Sequence, residues 1–166
     1  MAAEKNGPSG VEIAVLLRRA QLRKQLACEA ALAPLGMTLP QWGMLNAVVA
    51  GPDSSTHALA LHTGQSDQSA GAVVARLEQR GLLERRPGVG KAILHRITPE
   101  GAELAQRCEV VVEEVMTRLL GGLTDRARRA LRTSLLSVAD AALPSSARAE
   151  AGDHSGLSGI RSATRP

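Results

Sequence analysis

The run Gln65-Ser66-Asp67-Gln68-Ser69 gathers amide, hydroxyl and carboxylate groups in consecutive positions, and Ala70-Gly71-Ala72 follows with almost no side-chain bulk. Amides and hydroxyls can hydrogen-bond base edges or phosphate oxygens, and small residues beside them let a backbone come close. Cations follow at Arg76, Arg80, Arg85, Arg86 and Lys91, where they could neutralise phosphates along a duplex. Each piece also has a plainer use. Ser66 can be an N-cap, Asp67 a helix-start acid, and Arg76 with Arg80 a solvated helix face. The order of these groups, more than any one of them, points to double-stranded DNA as partner.

Other chemistries find little support. No GxSxG, HExxH or phosphate-binding glycine loop occurs, and Glu113 and Glu114 are adjacent, so they do not face each other on a helix. The expectation is a chain that is not an enzyme and needs no cofactor. Cys28 and Cys108 lack the spacing of a zinc or redox pair. His57 and His62 are five apart and do not share a helix face, so with His95 they do not suggest a metal site.

Elements must position these groups. Ile13, Leu16, Leu17, Ala20 and Leu26 recur at helical spacing from Val11 to about Leu32, and Pro34 and Gly36 close that helix. Thr38 opens a second helix with Trp42, Leu45, Val48 and Val49, ending at Gly51-Pro52. A short third helix spans Thr56 to His62, and a fourth runs from about Ser66 to Arg80 with Ala70, Val73, Val74 and Leu77 inward. The period then changes. Leu82 to Arg86 and Ala92 to Ile97 read as strands around Pro87-Gly88-Val89-Gly90, a hairpin signal. Thr98 caps a long helix carrying Leu104, Cys108, Val111, Val112, Val115 and Leu119, and Thr124-Asp125 open a last one with Leu131, Leu135 and Val138.

The fold class expected is mainly α with a small β-hairpin wing, a winged helix-turn-helix with dimerisation helices at both ends. The first 10 residues and the Ser/Gly/Ala-rich stretch 144–166 read as disordered, leaving a domain over 11–143. Within it the winged helix-turn-helix covers about 38–98, flanked by dimerisation helices at 11–36 and 99–143. The 166 residues are 44% hydrophobic and 22% charged with a net charge of +4, and their one aromatic is Trp42. That balance suits a folded domain, and mild basicity agrees with a polyanionic partner. No stretch approaches the roughly 18 apolar residues of a membrane span, and the N-terminus is not built like a signal peptide; a cytoplasmic protein is expected.

In Leu39-Pro40-Gln41-Trp42-Gly43-Met44-Leu45, Ala58-Leu59-Ala60 with Gly64, the stretch Val74 to Arg85 (VARLEQRGLLER) and Ile97-Thr98-Pro99-Glu100-Gly101, the sequence resembles the MarR family of bacterial transcriptional regulators. The likeness runs from about Val11 to Leu143. It implies an obligate dimer with interlocking first, fifth and sixth helices, and a small, often phenolic or aromatic, effector. The function implied is a sequence-specific repressor, relieved by that effector, on a pseudo-palindromic operator. DNA-contacting residues would be Gln65, Ser66, Gln68, Ser69, Ala72, Arg76, Arg85, Arg86 and Lys91. One departure concerns the wing, where the family's Asp-x-Arg element is replaced by Val89-Gly90-Lys91. Ala72 also stands where many relatives carry Arg.

The family's effector pocket, between dimer helices and DNA-binding lobe, would draw on Arg18, Arg19, Trp42, Leu45, His57 and Leu59. Trp42 also reads as core. Some relatives oxidise a first-helix cysteine, so Cys28, with Lys24 and Arg23 nearby, is a candidate redox sensor, against which stands a buried and inert thiol. Independently of any family, the first and last two helices carry apolar stripes that the small helix-turn-helix core does not need, and two-fold pairing would cover them. A winged-helix module that binds protein without specific DNA binding is the competing function.

Overall fold

The computed structural model describes residues 7–90, 92–139 and 141. Helix α1 (Gly10–Leu32) starts where Ser9 accepts the Glu12 N–H, so the helix takes in Gly10, one residue earlier than the sequence suggests. A 3-10 turn at Ala33–Leu35 follows, and Gly36, at φ 65°, reverses the chain in a conformation open to glycine at little steric cost. Thr38 then caps α2 (Leu39–Ala50) with a reciprocal capping box: its side chain accepts the Gln41 N–H while Gln41 accepts the Thr38 N–H.

Ser55 caps α3 (Thr56–Thr63), Ser66 caps α4 (Asp67–Gln79), and Thr98 caps α5 (Pro99–Leu119). Each hydroxyl satisfies a first-turn N–H with no helical partner, worth about 1 kcal/mol. The turn between α3 and α4 is set by Gly64, at φ 65°, tying the two helices at a fixed angle. Helix α6 (Asp125–Ala139) completes the helical set of the described residues and buries none of its own residues.

Strands β2 (Leu83–Pro87) and β3 (Ile93–Ile97) form the expected antiparallel hairpin, pairing Leu83 with Ile97 and Arg85 with His95. A third strand, β1 (Ser54–Ser55), joins the other edge of β3, with Ser54 opposite His95 and Ser55 opposite Leu94. This strand is absent from the sequence expectation: two polar residues carry no alternation to detect.

The core is aliphatic and sulfur-rich. Leu32, Met44, Leu45, Val48, Leu59, Leu77, Cys28 and Cys108 are all fully buried, joining α1, α2, α3, α4 and α5. Val73 and Trp42 pack against this cluster while partly exposed. Residues 1–6 of the expected N-terminal disorder, the tail at 144–166 and Lys91 lie outside the described residues.

Candidate nucleic-acid interface

Helix α4 presents its polar end to solvent for a local reason. Ser66 accepts the Ser69 N–H at 3.2 Å, so its oxygen is engaged as a cap, and the Ser69 hydroxyl donates to Gln65 Oε1 at 3.3 Å. Ala70, Val74 and Leu77 anchor the opposite face in the core. Residues 69, 72 and 76 recur at steps of three and four, which puts Ser69, Ala72 and Arg76 on one face of α4, and Gln65, in the turn before the cap, is joined to them by its hydrogen bond with Ser69. Ser69, Ala72 and Arg76 line its solvent side, with Gln65 half-buried and Gln68 exposed beside the row. Amide, hydroxyl, methyl and guanidinium therefore form one edge of α4.

Asp67 takes a part that its charge alone did not suggest. Its carboxylate lies 3.0 and 3.1 Å from His57 Nδ1 across the helix-turn-helix, both side chains exposed. The ring nitrogen donates, since a carboxylate can only accept.

The arginines divide. Arg76 lies on the rim of the exposed edge. Arg80, grouped by sequence with the backbone-neutralising cations, instead donates to the Gly36 carbonyl at 2.9 Å and reaches Met37 Sδ, bolting the end of α4 to the α1–α2 turn. Arg85 donates through Nε to Glu78, and Arg86 donates to Glu84 on its own strand. Arg96, not singled out by the sequence, donates through Nε to Asp53 Oδ1 at 3.0 Å. Behind Arg85, His95 is 2% exposed and sits between Glu78 and Thr56.

Beside this edge is an open groove of about 760 Å³ between α1, the start of α2, the end of α3 and α4. Glu29, Leu39, Pro40, His62, Val73 and Arg76 are among its walls. Glu29 is partly used, accepting the Leu39 N–H at 3.1 Å.

The residues proposed from sequence to hold an effector are not gathered on one accessible wall. Leu45 and Leu59 are closed inside the core at 0% and 1% exposure, so no ligand touches them in this conformation. His57 faces Asp67, and Arg18 and Arg19 are exposed on α1. Trp42 is half-buried with its Nε1 buried and without a hydrogen-bond partner. Cys28 fails both requirements of a redox sensor. It is 1% exposed, and burial pushes its thiol above the ordinary value, with Lys24 opposing and Glu29 adding to the rise. Among the described residues no group of His, Cys, Asp and Glu could hold a metal ion.

Comparison with known proteins reaches the same region. The family model described as MarR family matches residues 35–92, from the turn before α2 through the wing. The HTH-type transcriptional repressor Rv2887 of Mycobacterium tuberculosis is 34% identical over 108 residues, 64% of this chain and 78% of the relative. The crystal structure of the M. tuberculosis MarR family protein Rv2887 in complex with salicylic acid superposes with a TM-score of 0.64 at 31% identity, covering 81% of this chain and 98% of that one. Its complex with DNA gives 0.64 at 29% identity over 80% and 98%. With the capped recognition helix, the wing and the flanking helices matched across nearly the whole of a solved member, the chain belongs to the MarR family.

Proposed function

We propose that the chain is a sequence-specific, homodimeric DNA-binding repressor, relieved by a small aromatic acid and acting in the cytoplasm without catalysing a reaction. The observation that carries this is the edge of α4, where Gln68, Ser69, Ala72 and Arg76, with Gln65 in the turn before them, stand together on a helix anchored from behind and flanked by a cationic strand pair. Amides and hydroxyls at the helix start read base edges; Arg76, Arg85 and Arg86, with Lys91, neutralise flanking phosphates. Ser66 caps the helix through the Ser69 N–H, and the first-turn N–H groups it does not engage favour a phosphate. The relative named as a transcriptional repressor, solved with DNA, supports the same assignment.

Two-fold pairing is supported by the apolar faces left open. Val11, Val15, Leu16, Leu22 and Leu26 of α1 and Leu131, Leu135, Leu136 and Val138 of α6 are exposed in the single chain. A two-fold dimer calls for a pseudo-palindromic operator.

The groove supports relief by a ligand. Leu39, Pro40 and Val73 offer apolar walls and Arg76 a cation, which suits an aromatic carboxylate. An acid seated there takes Arg76 from the phosphate it would otherwise meet, so ligand and DNA compete.

The test is a gel-shift titration of the full chain on the DNA beside its own coding region and on random duplex of equal length, at two salt concentrations. A repressor binds its site about 10³-fold or more above random DNA, and salicylic acid, as the probe, weakens that binding. Equal affinity for both duplexes would mark a protein-interaction module and sink the proposal.

A further inference from the structure

The tip of the wing, Pro87-Gly88-Val89-Gly90-Lys91, carries no acid, yet a carboxylate–guanidinium pair lies at the base of the wing. Glu78, on the last turn of α4, receives Arg85 Nε at 3.0 Å on Oε1 and 2.8 Å on Oε2. Glu78 Oε1 also lies 3.0 Å from His95 Nδ1, and His95 Nε2 lies 2.9 Å from Thr56 Oγ1. The side chains of His95 and Glu78 are 3% and 14% exposed, whereas that of Arg85 is 63% exposed. A single line of hydrogen bonds thus runs from the first residue of α3, through β3 and α4, to a solvent-facing guanidinium on β2.

The donor and acceptor inventory fixes the order of that line. The carboxylate accepts, so His95 Nδ1–H donates to it. In the neutral ring Nε2 then accepts, and the Thr56 hydroxyl donates. The imidazole is held from both sides within the core, it holds Glu78 Oε1, and Glu78 in turn grips Arg85 by its Nε. A guanidinium gripped there keeps its Nη groups for another acceptor, and the hydrogen bonds that Arg85 makes among the described residues use Nε alone. A pair between two free surface chains is worth little because both must be ordered. Here one partner is ordered beforehand, which lowers the cost of presenting the other.

We propose that Glu78, braced by His95 and Thr56, is a positioning residue for operator binding, aiming the Nη groups of Arg85 at a phosphate beside the base of the wing. The inference rests on the repressor reading above. It gives this chain a steering acid on the recognition helix itself.

Electrostatics supplies a test by sign. Removing a carboxylate beside DNA should, through charge alone, tighten binding to every duplex. In the full-length protein, Glu78→Gln instead weakens binding to operator and random duplex alike, by roughly tenfold on the operator, because the contact it aims is to a phosphate. Arg85→Ala lowers the operator salt slope by about 0.9 per subunit, one phosphate each. The double variant binds the operator no worse than Arg85→Ala alone, since Glu78 acts only through Arg85. Thermal melting checks that Glu78→Gln folds; if it does not, Arg85→Lys keeps the charge, removes the Nε grip and must lose operator affinity. Equal tightening on both duplexes, additive losses, or full operator affinity in Arg85→Lys would overturn the inference. Wild-type protein that cannot tell operator from random duplex overturns the repressor reading itself, a result separate from these.

Discussion

Gln68 and Arg76 share the exposed side of α4 but answer to different physics. A glutamine amide recognises a base by paired hydrogen bonds, so Gln68→Ala should cost about 1–3 kcal/mol of discrimination at one operator position and leave the salt slope alone. Arg76→Ala should do the reverse, weakening all sequences alike and lowering the slope by about 0.9 for each phosphate left without its cation. Binding to a panel of single-base operator variants at several salt concentrations separates the two. Asp53 illustrates charge used for architecture. It adopts φ 61°, which Asp tolerates, and hydrogen bonding to Arg96 holds its carboxyl below its ordinary value, against desolvation, with Arg96 and Arg86 charges adding to the fall. A folded value below the unfolded one contributes stability that is present above the unfolded value, about 3.9, and lost as pH falls through the folded one. Asp53→Asn keeps the backbone option and removes the charge. Its melting temperature should lie below wild type at neutral pH and converge with it in acid.

At the scale of elements, the wing and α5 show why a motif legible in sequence still needs a structure to explain it. The Thr98-Pro99-Glu100-Gly101 start of α5 reads from sequence as a helix cap with an acidic first turn. The structure adds a joint: Thr98 donates its hydroxyl to the Gly81 carbonyl and its N–H to the Leu82 carbonyl. Gly101 follows one turn in, where an added Cβ would collide with the Leu82 carbonyl and with Ile97. Glycine is needed here for close approach, not for a turn. Gly101→Ala should therefore destabilise the domain by about 2 kcal/mol or more in chemical denaturation, despite alanine's better helix propensity; an unchanged midpoint would contradict that packing. Helix positions and caps were legible because period and capping chemistry are local. Strand β1 was not, since Ser54 and Ser55 become a strand only by pairing with Leu94 and His95.

At the scale of the molecule, the open apolar faces of α1 and α6 set the largest expectation. Among the described residues α6 has no buried residue, yet Leu131, Leu135 and Leu136 stand along it. If a second copy covers them, Leu135→Asp should shift sedimentation from dimer toward monomer and weaken operator binding with it, because two linked half-sites bind far better than one. A wild-type monomer at micromolar concentration would overturn the dimer.

The sequence by itself determined the order of the helices and the hairpin, the aliphatic core and the family resemblance that known relatives then bore out, because periodicity, capping and turn chemistry are written within a few residues of one another. Only the tertiary structure decided what each polar group is for. Arg80 became a bolt to Gly36, Leu45 and Leu59 closed into the core, Cys28 lost its access to solvent, and Glu78 met His95 and Arg85. These hydrogen bonds join residues 7 to 44 apart along the chain, separations over which side-chain type alone carries no information about who meets whom.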